Sequence, residues 1–470
     1  MGRRNLPQYE EVEILAAGSE GKSIAKINEK VIFVPFAAPG DIVDLKVIKK
    51  KKAYLEAKIT KVHKLSEIRI EPKCSHFTVC GGCKWQHLPY SEQAKFKHQQ
   101  VKDQLERIGK IDTSSMNSII EAPEDYYYRN KLEYTFSNLA WLTEFSKDID
   151  FSDRNMNALG FHIPGMFDRI LNIDHCYLQA EPSNEIRLSI KKYADENNIS
   201  YFDIRKQTGF LRNLIIRTAS TGEIMVIVVL YHEDEDTRVS LLNHISENFP
   251  NITSLMYIIN EKKNDSITDQ EVILFKGKDH MMEEMENLKF KVGPKSFYQT
   301  NNKQAYELYK VARNFANLSG NELIYDLYTG TGTIANFVAA KAKKVIGIEY
   351  VEEAIADAKV NSALNKIENT EFFAGDMVKV LDDLFVDTHG VPDVIITDPP
   401  RAGMHPKVCE LLNRIKSKRI VYVSCNAATQ ARDLALLSDN YEVKEIQPVD
   451  MFPQTHHVEN VVLLKLKGND

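Results

Sequence analysis

The chain of 470 residues contains no run of about 18 consecutive apolar residues, which excludes an ordinary membrane-spanning helix. Its opening stretch, MGRRNLPQYEEVEI, lacks the apolar segment of a secretory signal, so a cytoplasmic protein is expected. No charge of one sign dominates. Lys and Arg number 60 against 66 Asp and Glu, and the net charge of −6 provides no global attraction for nucleic acid, so any such contact must come from local patches. Cysteine is scarce: six residues in a reducing compartment make poor disulfide candidates and read better as metal ligands, nucleophiles or buried fillers. The length exceeds what one hydrophobic core supports, so a multidomain, globular chain is expected.

Residues 8–64 alternate in short strands punctuated by Gly18, Gly21, Pro39 and Gly40, the pattern of a small OB-like β-barrel over residues 1–66. Lys46, Lys49, Lys50, Lys51, Lys52, Lys58, Lys61 and Lys64 crowd two of these strands around Tyr54. Such a surface suits an RNA backbone, or equally a solvated hairpin whose lysines blunt an exposed edge.

The stretch CSHFTVCGGCKWQHL follows, with Cys74, Cys80 and Cys83 in a C-x5-C-x2-C array in which Gly81 and Gly82 let the chain curl. Cys176, in NIDHCYLQ, is the only other cysteine before the last third and the natural fourth ligand. Four thiolates suit either a structural zinc or a four-iron cluster. SEQAKFKHQQVKDQLERIG reads as a helix over 91–109, capped by Ser91 and ended by Gly109. Alternating strands and two helices then predict a central α+β domain over 67–290. Within it Tyr126, Tyr127, Tyr128, Arg129 and Lys131 place aromatic and basic groups together, as RNA contacts need and as half-buried strand residues also do.

From Leu323 strands and helices alternate, predicting a doubly wound, mainly parallel α/β sheet in a domain spanning 291–470. Gly330 and Gly332 follow the first strand, and Glu349 ends the second, where a carboxylate can take both ribose hydroxyls of a nucleotide. With no third glycine at the dinucleotide spacing, the pattern fits S-adenosylmethionine rather than NAD, with Asp376 near the adenine. The loop Asp398-Pro399-Pro400-Arg401 follows the fourth strand and faces the methyl donor. It is similar to the loop of amino-group methyltransferases, but Arg401 stands where those carry an aromatic residue.

Cys425 ends the next strand in VSCNAATQARD, just before a helix whose N-terminus can favour a thiolate. Amino-group methylation needs no thiol, whereas carbon methylation of uracil does. A thiolate adds at C6, the resulting enolate carries the methylation at C5, and a base then removes the C5 proton. Glu459 begins the last strand near His456 and His457; from position alone it reads as a strand-end carboxylate in water.

CSHFTVCGGCKWQHL, GPKSFYQTN, DLYTGTGTIA, IGIEY, GDM, TDPPRAG, VSCNAATQARD and HHVENVVLL, in this order along nearly the whole chain, resemble the RNA uracil-5 methyltransferases and within them the RumA-like 23S rRNA branch. The resemblance implies an N-terminal TRAM domain, a central domain with a [4Fe-4S] cluster on Cys74, Cys80, Cys83 and Cys176, and a C-terminal class I methyltransferase domain onto which helix 91–109 packs. It implies Cys425 as nucleophile, Glu459 as base, and Gln299, Tyr328, Thr333, Glu349, Asp376 and Asp398 as cofactor-pocket positions. It also implies 23S rRNA as substrate, because the tRNA branch lacks the cysteine array and the TRAM domain, and a monomer acting on RNA. The departures are Tyr328-Thr329 where Phe-Cys is usual, Thr333 for Asn, and Ala427 for Pro. The acidic stretch 138–162 is longer than usual and reads as a surface insertion. The rival readings are a tRNA uracil-5 enzyme, an amino-group methyltransferase, and a non-catalytic iron–sulfur RNA-binding protein.

Overall fold

The computed structural model describes residues 6–143 and 155–468, so residues 144–154 of the acidic insertion lie outside the described residues. Six strands between Gln8 and Lys64 form one sheet around a small core that includes Val12, Ile32, Val43, Leu45 and Leu55. The lysine-rich strands Ile42–Lys50 and Tyr54–Lys64 pair antiparallel in its middle, each with a partner on either side. The flanking strands pair only with Tyr54–Glu56 and with residues up to Lys46, so Lys49, Lys50, Lys58, Lys61 and Lys64 lie beyond that pairing and the lysines still fit either reading. Lys46 lies directly opposite Lys58, a like-charge pair that destabilises an isolated hairpin and favours an anionic partner.

The predicted helix begins at Tyr90 and runs to Gln104 before a wider π-helical turn, Leu105–Gly109. Pro89 occupies the capping position and no side chain caps it, so Ser91 is not the cap; a proline needs no amide partner at a helix start. Val101 and Leu105 enter the same core as Tyr325, Ile346, Tyr422 and Ala431 of the last third. Lys97 and Asp450, both fully buried, pair at 2.6 Å and tie the helix to the end of strand Tyr441–Val449.

The central region forms a seven-stranded sheet flanked by helices Ser183–Glu196 and Glu235–Asn248. One face shares a core with the last third through Ile215, Met225, Ile227 and Met256. Between the two sheets lies a hairpin, Met281–Met285 with Leu288–Val292, that the sequence pattern did not single out.

The C-terminal sheet has seven strands in the spatial order Thr370–Ala374, Lys344–Glu349, Leu323–Leu327, Val394–Thr397, Arg419–Ser424, Glu459–Leu466, Tyr441–Val449. The first five are parallel. The last strand in sequence inserts antiparallel between its two neighbours. This reversal brings the start of Glu459–Leu466 to the rim where the parallel strands end, and the site depends on it.

Candidate active site

Cys425 follows Ser424 at the end of its strand. The Ser424–Asn460 pair is the last step of the antiparallel ladder, so Cys425 and Glu459 come next to each other at the rim. The turn is held in both directions: the Asn426 amide donates to Ser424 Oγ at 3.1 Å, and the Asn426 side chain accepts from the Ala428 amide at 3.2 Å as the cap of helix Ala427–Leu437.

The Asp398–Arg401 loop is stitched to this turn. Asn426 Nδ2 and Thr429 Oγ1 donate to the Arg401 carbonyl at 3.1 and 3.2 Å. Arg432 donates to the Ala402 and Met404 carbonyls, while buried Asp433 accepts from the Met404 amide and the Tyr422 hydroxyl. Gly403 packs so closely here, at φ +76, that a Cβ would meet an Asp433 carboxylate oxygen at 2.6 Å.

Glu459 is 5% exposed, so it is not the solvated carboxylate that its strand-start position predicts. Burial and the Asp398 carboxylate raise its proton affinity, and Arg401 opposes them. Asp398 is raised as well, by burial. The half-buried Cys425 thiol is pushed up to about 11 by loss of water and by the Glu459 and Asp398 charges, with Arg401 pulling the other way. Burial and two neighbouring carboxylates act against the thiolate, and the helix end expected to favour it is capped by Asn426.

On the cofactor side, Glu349 ends its strand and accepts amides from Gly330, Tyr350 and Val351 at 3.2, 2.8 and 3.1 Å, which fixes its carboxylate beside the glycine turn. Gly332 takes φ +74, and a Cβ there would meet the Ala358 Cβ at 2.8 Å, so only glycine lets the following helix pack this closely. Tyr328 also takes a left-handed conformation, φ 63, which turns the chain into the crevice. Thr333 is buried, with its hydroxyl 3.4 Å from that of Thr331, and Asp376 is exposed and caps the short helix Met377–Val380. Gln299 is anchored through its backbone carbonyl, which accepts from Asn130 Nδ2 at 3.0 Å.

Two residues escaped the sequence reading as site members. Asp326, at the end of the first strand, accepts from Thr329 Oγ1 at 2.5 Å but leaves its other oxygen buried without a partner; burial raises it from 3.8 to about 7. Tyr309, on helix Asn302–Ala316, is 5% exposed, and its phenol is held strongly protonated by burial and by nearby Asp398, Asp326 and Glu459. Asp326 was visible beside the glycine turn. Tyr309 carried no signal beyond that of a core-facing helical position.

The four cysteines Cys74, Cys80, Cys83 and Cys176 line one cavity of about 380 Å³ together with His76, Arg129 and Thr455. Among the described residues, no group of three His, Cys, Asp or Glu is gathered tightly enough to hold a single metal ion.

Residues 212–467 match the family model described as tRNA (Uracil-5-)-methyltransferase, and residues 3–60 match the TRAM domain. An uncharacterized RNA methyltransferase of Bacteroides thetaiotaomicron is 59% identical over 452 residues, covering 96% of this chain and 100% of the relative. A second, from Porphyromonas gingivalis, is 56% identical over 460 residues, covering 96% and 99%. The crystal structure of Pyrococcus abyssi tRNA (uracil-54, C5)-methyltransferase in complex with S-adenosyl-L-homocysteine superposes with a TM-score of 0.75 at 29% identity, covering 96% of this chain and 100% of that one. With its N-terminal TRAM domain and its S-adenosylmethionine-dependent methyltransferase fold, the chain belongs to the tRNA (uracil-5-)-methyltransferase family and is an RNA methyltransferase.

Proposed function

We propose that this RNA methyltransferase methylates C5 of a specific uridine in 23S rRNA through a covalent Cys425–C6 adduct, with Glu459 removing the C5 proton. The observation that carries the reading is the adjacency of one half-buried thiol and one buried carboxyl at the rim of the cofactor crevice. An amino-group methyltransferase has no use for that pair.

S-adenosylmethionine, when bound, supplies an electrophilic methyl group. Glu349 would take its ribose hydroxyls and Asp376 its adenine, with Gln299, Tyr328, Thr333 and Asp398 completing the pocket. The Cys425 sulfur bonds to C6, the C5–C6 electron pair moves into an enolate, and C5 takes the methyl group as S-adenosylhomocysteine leaves. Glu459 then accepts the C5 proton as the S–C6 bond breaks and the thiolate leaves. A thiol held near 11 is protonated at neutral pH, so its proton passes to the nearby Asp398 carboxylate as the S–C6 bond forms, which leaves Glu459 for the C5 proton. A rim carboxylate with raised proton affinity suits the acceptor role. The uridine must be flipped from its stack, since C5 and C6 are attacked from the ring face.

Cys74, Cys80, Cys83 and Cys176 would hold a [4Fe-4S] cluster rather than zinc. The four thiols border one cavity, and the resemblance to the RumA-like branch favours the cluster over a single zinc. No redox step enters methyl transfer, so the cluster's role would be structural. Iron and acid-labile sulfide analysis of anaerobically purified protein tests this, and stoichiometric zinc without sulfide would refute it.

The choice of RNA is less constrained by architecture than the sequence resemblance implies. A tRNA enzyme matches along 96% of this chain, so possession of the TRAM and cysteine segments does not by itself separate the two substrates, and tRNA is the second reading. We read the protein as a monomer, which light scattering on the purified protein tests. Mapping 5-methyluridine in rRNA and tRNA from a deletion strain tests the assignment; loss from a 23S rRNA position supports it, and loss from tRNA alone replaces it with the second reading.

A further inference from the structure

At the cysteine cavity, whose lining includes His175 and Tyr177, five residues form a cluster that the catalytic reading does not use. Exposed Lys73 sits with its ammonium 4.7 Å from the Tyr126 ring centroid, 5.0 Å from that of Tyr127 and 4.9 Å from that of Tyr177. The His175 ring packs on Tyr177 at 4.4 Å, and Tyr127 Oη lies 3.3 Å from His175 Nε2. Tyr127 takes φ +57, an uncommon conformation for a bulky residue, and its amide donates to the Tyr177 carbonyl at 2.8 Å. Tyr127 is 38% exposed.

Two features point to the occupant. Aromatic faces beside a single exposed ammonium are what a base and its phosphate require, and every base has a π-face to stack. The cluster is also coupled to the catalytic rim. Its neighbour Tyr128 donates to the Pro453 carbonyl at 2.9 Å, Arg129 lies over the Phe452 ring at 5.4 Å, and Thr455 lines the same cavity as the thiols. The chain runs from these residues directly to Glu459.

We propose that Tyr127, Tyr177 and His175, with Lys73 among them, form a stacking platform for an unpaired nucleotide of the RNA substrate close to the target uridine. The platform is built from residues flanking two of the thiols: Lys73 precedes Cys74, while His175 and Tyr177 bracket Cys176. Whatever the four cysteines hold therefore sets the spacing of the rings, which links the cavity to RNA recognition rather than to the methyl-transfer step. The inference rests on the family's action on RNA and adds where a nucleotide binds.

Fluorescence anisotropy of the full-length protein with a fluorescein-labelled single-stranded oligouridylate tests the platform, with S-adenosylhomocysteine affinity measured on the same samples. Tyr127→Ala should weaken oligonucleotide binding roughly ten-fold, the loss of one stacked base, while Tyr127→Trp retains it. Lys73→Ala should reduce the slope of log affinity against log salt by about 0.7, one phosphate contact on a single strand. S-adenosylhomocysteine affinity should be unchanged in all three. If Tyr127→Ala and Lys73→Ala bind the oligonucleotide like the parent, the platform is wrong and the methyltransferase reading stands. If the parent binds S-adenosylhomocysteine but no single-stranded or structured RNA, both fall.

Discussion

Cys425 and Glu459 stand opposite each other one residue beyond the Ser424–Asn460 pair, at the edge where an antiparallel strand meets the ends of the parallel ones. A thiol and a carboxyl 34 positions apart in sequence are thereby held by the stiffest element available, a sheet paired on both sides of Glu459–Leu466. The order of chemical events should be separable by mutating each alone. Cys425→Ala should abolish both methyl transfer and covalent RNA adducts while S-adenosylhomocysteine still binds. Glu459→Gln should allow addition and methylation but strand the product, so a protein–RNA adduct accumulates on a denaturing gel. Absence of any adduct in Glu459→Gln would count against the proton-abstraction role.

The same neighbours govern the reactivity of the free thiol. With its titration near 11, Cys425 should be alkylated by iodoacetamide at a rate that rises about tenfold per pH unit between pH 7 and 9 without levelling. Replacing Glu459 by Gln removes a charge that raises the thiol, so the rate at a given pH should increase. Arg401→Ala removes the opposing cation, so it should decrease. Peptide mass spectrometry distinguishes this site from buried Cys409.

Asp326 makes stability fall with pH in a definite window. Its carboxyl is raised from 3.8 to about 7 in the folded protein, so between these values the unfolded chain loses its proton while the folded chain keeps it. The folded state is therefore progressively disfavoured from about pH 4 to pH 7, and the penalty is constant above that. Asp326→Asn, which cannot titrate, should gain relative to the parent across this window by an amount on the order of a few kcal/mol, read as a widening difference in melting temperature. A pH-independent difference would reject the assignment.

The buried Lys97–Asp450 pair joins a helix from early in the chain to the strand end beside the rim. Lys97→Met alone leaves an unpaired buried carboxylate and should destabilise by about 3–5 kcal/mol, whereas Lys97→Met with Asp450→Leu should recover much of the loss. Urea unfolding of the two variants checks this. Equal losses would mean that the pair acts through packing rather than charge.

Gly332→Ala places a methyl group 2.8 Å from the Ala358 Cβ at a left-handed backbone position. It should destabilise by about 1–3 kcal/mol and weaken S-adenosylhomocysteine binding together, because the shift needed to relieve the clash moves the helix that borders the cofactor crevice. Calorimetry and thermal melting on one preparation separate the two effects.

Much of the site was legible one segment at a time. A glycine turn after a strand, a carboxylate ending the next strand, a proline loop and a cysteine before a helix are local signals, because each is imposed by backbone geometry within a few residues. The cysteine array was legible for the same reason. What misled was environment. Ser91 is one residue inside its helix rather than at the cap, and Glu459 is buried rather than solvated.

The sequence alone determined the parts: a lysine-rich barrel, a cysteine-bearing α+β region, and a parallel sheet with cofactor loops at its carboxyl ends, all set by periodicity and turn chemistry. Only the tertiary structure decided that the last strand runs backwards into the sheet, that Tyr309 and Asp326 join the acidic rim, and that Lys73 meets three tyrosines from two distant segments. The physical reason is that hydrophobic patterning marks which face of an element is buried, while strand order and the charges that meet in low dielectric depend on contacts between residues far apart in the chain.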